Sequence, residues 1–164
     1  MLFFQPKPVV AHSEWKLWRT IILGQHANNQ ALFNALRKSG YANYLWTDDI
    51  ISKLQVVPEP RTKELFLVRP RDLGITYGCD YPDFRTEAVR AGFKMVPTET
   101  VGQLRLDYND QPLDERIHMG TVTFPFKGRQ RAIFCLVHTN QGKQIVIREP
   151  GEYYQPDEKF VFCR

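Results

Sequence analysis

The stretch QLRLDYNDQPLDE, residues 103–115, concentrates side chains that do chemistry: the carboxylates Asp107, Asp110, Asp114 and Glu115, the guanidinium of Arg105, the phenol of Tyr108 and three amides. His118 follows shortly after. Paired carboxylates beside a histidine can carry out acid–base catalysis or hold Mg²⁺. A hydrolase or nuclease built here would use Arg105, Asp107, Asp110 and His118, with Gln111 and Glu115 lining the same cleft. The same residues also make a well-formed turn. Asn109 and Asp110 can bond their own backbone, Pro112 fixes φ, and Arg105 can fork onto a carboxylate such as Asp107, Asp110 or Glu99. A motif without its structural context is only a hypothesis, so the structural reading is preferred.

Three further constellations invite a functional reading. FPFKGRQR, residues 124–131, is a turn between strands; Phe126 could stack on a base while Lys127, Arg129 and Arg131 meet phosphates. The alternative is a charged hairpin tip that discourages edge-to-edge pairing. LGQHANN, residues 23–29, joins a strand to a helix start, where backbone N–H groups can hold an anion with help from His26 and Asn28. It lacks the glycines of a phosphate loop, and capping alone explains Asn28. Pro82-Asp83 with Asp157-Glu158-Lys159 resembles the fragments of a metal-dependent nuclease, yet QPDEK is also an ordinary turn before a strand. The four histidines and three cysteines show no ligand spacing, so we expect no metal site and no cofactor. No Gly-x-Ser-x-Gly elbow occurs, and no strong Cys–His arrangement.

The elements that must position these residues are legible in part. Residues 1–14 read as an extended lead-in, and 15–164 as one domain. WKLWRTIIL (15–23) is β-branched and aromatic, hence a strand. Asn28 and Asn29 can start a helix that places Leu32, Phe33 and Leu36 on one face and ends near Gly40. Thr47 can cap a short helix through Leu54. ELFLVR (64–69) reads as a strand. A helix from Pro82 turns Phe84, Ala88 and Val89 inward. VPTETVGQLRLDY begins with a helical turn, and LRLDY then alternates as a strand does, with Leu104, Leu106 and Tyr108 on one side. Four strands follow, at 117–124, 131–137, 143–148 and 159–163, the first three joined as an antiparallel meander. The fold expected is α+β: a mainly antiparallel sheet with a C-terminal meander and two to three helices in the first two thirds.

At 164 residues and 43% hydrophobic content, a chain of this kind buries roughly 70% of its unfolded surface and needs no disulfide or metal to fold. Three cysteines without a pairing pattern suit a reducing compartment. No export signal or bilayer-length apolar run is present, so a soluble cytoplasmic protein without membrane contact is expected. The net charge of +4 permits a polyanionic partner without requiring one. Residues 97–116 carry five acids and two arginines, net −3, whereas 117–148 carry five cations and no acid, net +5. We expect the two segments to face and neutralise each other.

The residues Val96-Pro97-Thr98-Glu99 and Gln103-Leu104-Arg105-Leu106-Asp107-Tyr108-Asn109-Asp110-Gln111-Pro112 also carry a resemblance. They are similar to a pattern, Cys-Pro-Ala-Glu followed by Gln-Leu-Arg-Leu-x-Tyr-x-Asp-Gln-Pro, in a family of small bacterial single-domain proteins of unknown function. The resemblance extends to ILGQH (22–26), LRKSGY (36–41), ELFLV (64–68) and KFVF (159–162), and so over most of 15–163. It implies one complete domain and no particular reaction. The family's cysteine is Val96 here, which argues against a catalytic thiol at that place. Taken together, the residues suggest a non-catalytic binding or regulatory module contacting protein or nucleic acid. The alternative is a small metal-dependent hydrolase or nuclease using residues 105–118.

Overall fold

The computed structural model describes residues 14–41, 47–126, 128–148 and 153–164, without the side chains of Arg129 and Gln130. Most of the expected lead-in and Lys127 lie outside the described residues. Within them the fold is α+β, with four α-helices and a seven-stranded mixed sheet.

The helices start where capping chemistry places them. In α1 (Asn29–Lys38) the Asn28 Oδ1 accepts the Ala31 N–H at 2.9 Å, and Leu32, Phe33 and Leu36 are buried. Thr47 caps α2 (Asp48–Ser52) through Ile50 N–H. Asp80 caps α3 (Tyr81–Arg90), with Pro82 in its first turn. Phe84 and Ala88 point inward as expected, but Val89 is 49% exposed and Tyr81 is buried instead. The fourth helix, α4 (Glu99–Asp107), replaces the strand expected at LRLDY. Every residue from Glu99 to Arg105 is buried. A helix enclosed on nearly all sides has no solvent face and so no 3.6-residue alternation to read.

The strands are β1 (Arg19–Leu23), β2 (Arg61–Val68), β3 (Arg116–Met119), β4 (Phe124–Phe126), β5 (Arg129–Thr139), β6 (Gly142–Arg148) and β7 (Lys159–Cys163). The β4–β5 and β5–β6 hairpins are as expected. The strand expected at 117–124 is broken into β3 and β4. Gly120 sits at the break, where an added Cβ would lie 2.5 Å from the Val161 carbonyl oxygen. β7 enters between β2, which it meets antiparallel, and β3, which it meets parallel. The sheet is therefore mainly antiparallel with one parallel pair.

Alternation along the strands divides the interior into two layers. Leu65, Val161, Cys163, Ile117, Met119 and Leu136 pack against α1, α2 and α4. Phe66, Phe160 and Phe162 pack on the other face against Tyr81 and Phe84 of α3, with Phe93 and Tyr154. Among the described residues, no helix is long and apolar enough to cross a membrane.

Candidate functional site

The polar stretch at 103–115 is built around Arg105, which is fully buried on the last turn of α4. One terminal nitrogen donates to Gln111 Oε1 at 2.6 Å and the other to the Tyr108 carbonyl at 2.7 Å. The Tyr41 ring centroid lies 5.2 Å from the guanidinium carbon. The expected carboxylate partners are not used. Asp107 accepts from Gln103, Asp110 pairs with Arg19 at 2.8 Å, and the fully buried Glu99 accepts the N–H groups of Gly24 and Val57, each at 2.7 Å. Helical geometry explains the substitution, because the turn after α4 returns Gln111 to Arg105 while Glu99 lies at the far end of the helix. Burial lowers the proton affinity of Arg105, partly offset by Tyr41 and Tyr108, but an arginine remains charged throughout.

The network continues outward. Gln111 Nε2 donates to the Glu115 and Leu136 carbonyls, and His138 Nδ1 donates to the Gln111 carbonyl at 2.7 Å. Tyr108 OH donates to Glu115, whose other oxygen accepts from Lys159 at 2.8 Å. Arg19 lies 4.1 Å from the Tyr108 ring centroid, and its hydrogen bond holds the exposed Asp110 below the usual carboxylate range. Lys143 Nζ donates to the Asn109 carbonyl. Among the described residues, the ion pairs of the acidic 97–116 segment therefore run to Arg19 and Lys159. Both lie outside the basic 117–148 segment expected to neutralise it, of which Lys143 still acts on Asp110 through its charge.

His118 is on the other face of the sheet. It is fully buried, with Phe160 and Tyr154 at centroid distances of 4.8 and 5.0 Å. Its Nε2 donates to Glu158 Oε1 at 3.0 Å, and Arg148 lies 3.7 Å from the same oxygen. Desolvation by burial depresses the His118 pKa below 6.5, although the hydrogen bond and charge of Glu158 act in the opposite direction. The imidazole is thus neutral at neutral pH. Burial raises the proton affinity of Glu158, but hydrogen bonds from His118 and the Gln155 N–H, with the charge of Arg148, leave it net lowered. Arg105, Asp107, Asp110 and His118 do not converge. They are divided between the two faces of the sheet.

The remaining candidates are also placed. Phe126 is half-buried and packs on the first core layer, Arg131 is exposed, Lys127 is outside the described residues and so is the Arg129 side chain. Asn28 is engaged as the α1 cap, and His26 is half-buried beside it. Asp157 forms a two-point ion pair with Arg71 at 2.7 and 2.9 Å, Glu158 binds His118, and Lys159 binds Glu115. The nuclease fragments thus fail to gather. Among the described residues, no group of three or more His, Cys, Asp or Glu could hold a metal ion. The three cysteines are buried free thiols. Burial pushes Cys79 up to about 11 and Cys135 up to about 12, which leaves neither as a thiolate nucleophile.

Two open grooves, each of about 570 Å³, lie away from Arg105, Asp107, Asp110 and His118, and Cys79 and Asp83 line one of them. One is lined by Trp15, Lys16, Leu17, Trp18, Leu67 and Arg69, among others. The other contains Tyr77 and Tyr153 together with Asp80, Asp83 and Glu87. Sequence reasoning missed both, along with the pairing of His118 with Glu158. The available signals were Trp15 and Trp18 in the strand read at 15–23, and Tyr77 and Tyr153 in segments given no element. No family model matches the chain, and no curated protein or solved structure matches it.

Proposed function

We propose that the protein is a non-catalytic binding or regulatory module that engages a protein or nucleic-acid partner in a reducing, cytoplasmic compartment. One observation carries this reading: two open grooves on the described surface combine aromatic and apolar side chains with charged ones, and neither includes Arg105, Asp107, Asp110 or His118. An active site needs its acid, base and electrophilic groups at one concave place. Here each candidate instead has a structural partner and a separate location. Grooves that set aromatic side chains among charged ones are what recognition surfaces use. The buried thiols support the reducing compartment. Of the two partner classes, protein is favoured, because the described part of the basic tip offers an exposed Arg131 but only a half-buried Phe126.

The test is a ligand panel read by thermal melting, with Mg²⁺, nucleotides, short RNA and DNA, and peptides of different charge, at low and high salt. A binding module gives a saturable rise in Tm with a macromolecular ligand and leaves the nucleic acids intact after incubation. Mg²⁺-dependent cleavage that disappears in the Asp107→Asn/Asp110→Asn double variant would overturn the proposal in favour of a hydrolase.

A further inference from the structure

The groove containing Tyr77 and Tyr153 has features that the fold itself does not require. Cys79 and Tyr154 form an antiparallel bridge, with N–H···O distances of 3.1 and 2.8 Å. The bridge sets the chain segments bearing Tyr77 and Tyr153 side by side. Gly78 lies under Tyr153, whose Cβ would be 3.4 Å from a Cβ at position 78. Tyr77 and Tyr153 are 73% and 69% exposed. A single exposed apolar side chain needs no explanation, but here two tyrosines raised on neighbouring segments line one groove of about 570 Å³.

The remaining lining gives the groove its chemistry. Among the described lining residues, Asp80, Asp83 and Glu87 are opposed by Arg90 alone, in a chain whose net charge is +4. Arg90 is already paired with Glu87 at 2.6 Å, and Asp80 accepts the Asp83 N–H at the helix cap. The Asp83 carboxylate has no partner among the described residues and is exposed. Leu73 and Ile75 add an apolar wall. Aromatic faces, an unengaged carboxylate and an apolar wall are together complementary to one kind of side chain. It has a planar cation that stacks on a phenol ring and pairs with a carboxylate, and a methylene stem that packs on apolar surface.

We infer that the groove between Tyr77 and Tyr153 is a docking site for an arginine side chain on a basic segment of a partner protein. Arginine is favoured over lysine because a guanidinium can stack and fork at once, whereas an ammonium is a compact, strongly hydrated charge. This inference rests on the binding-module reading and supplies the chemistry of the partner.

The test is an isothermal titration of the full chain with a capped peptide of alternating arginine and glycine, with the glutamine-for-arginine peptide as control. The expected result is saturable, salt-sensitive binding of the arginine peptide alone. The double variant Tyr77→Ala/Tyr153→Ala should weaken it at least about tenfold, and Asp83→Asn should weaken it and flatten its salt dependence. The double variant Tyr77→Phe/Tyr153→Phe should retain it. All of these positions lie on the surface, so an unchanged Tm verifies that each variant is folded. Equal affinity in the alanine double variant, equal affinity for the glutamine peptide, or no saturation at all would overturn the assignment. If the arginine peptide fails while another macromolecule still raises the Tm, the groove assignment alone falls. Metal-dependent cleavage would remove the binding-module reading and this inference with it.

Discussion

A guanidinium taken out of water without a carboxylate beside it must place its donors on neutral acceptors, and the two terminal nitrogens of Arg105 do so with an amide and a carbonyl beside the Tyr41 ring, while its buried Nε has no hydrogen-bond partner among the described residues. The amide and the carbonyl belong to the turn that follows its own helix, so the side chain ties α4 to the 108–115 loop and, through Gln111, to β5. Arg105→Ala should therefore lower stability by roughly 2–4 kcal/mol, combining a cavity with unsatisfied partners. Arg105→Lys should also destabilise, because an ammonium cannot reach both acceptors. Urea denaturation of the two variants checks this, and a near-neutral Arg105→Ala would mean that the turn holds itself. By contrast, the exposed Arg19–Asp110 pair contributes little. The sequence makes plain that 103–115 is turn chemistry around an arginine. It conceals the identity of the partner, because choosing Gln111 over three nearby acids depends on a helical turn that LRLDY does not announce.

Among the elements, α1, α2 and α3 could be read because each has a capping side chain and one buried face. α4 could not, since Leu104 and Arg105 are both buried and nothing in the alternation distinguishes a fully enclosed helix from a strand. The break between β3 and β4 has a similar origin. IHMGTVTF has the composition of one strand, and only the approach of β7 shows why it stops. Gly120 donates its N–H to the Val161 carbonyl at 2.9 Å, and a methyl group there would also meet the Phe162 ring at 2.7 Å. Backbone cannot yield as a side-chain tip can. Gly120→Ala should cost about 1–3 kcal/mol by forcing β7 away from β3, measurable as a lower urea midpoint. An unaffected midpoint would mean that the two strands have room to separate.

At the scale of the whole molecule, the His118–Glu158 pair makes stability depend on pH. The folded state holds His118 below its ordinary value of 6.5, so the unfolded chain takes up its proton first. Stability is complete above about pH 6.5 and declines as the pH falls below it. Glu158, held below 4.5, adds a loss of the same sign further into acid. Arg148 and Arg116 oppose a proton on His118, and Glu158 favours one. Urea midpoints should accordingly be lower at pH 5 than at pH 7, and a flat profile would contradict the neutral, buried imidazole. The global topology was the part least legible in advance, because no local signal directs β7 between β2 and β3. That position has a consequence for how the chain is made. During synthesis β2 and β3 leave the ribosome long before Lys159–Cys163, the strand that joins them. Until then each presents an open edge, the kind of surface on which nascent chains aggregate or recruit chaperones. Leu65 must wait for Cys163, so this part of the sheet closes after its neighbours, with the slow kinetics of long-range pairing.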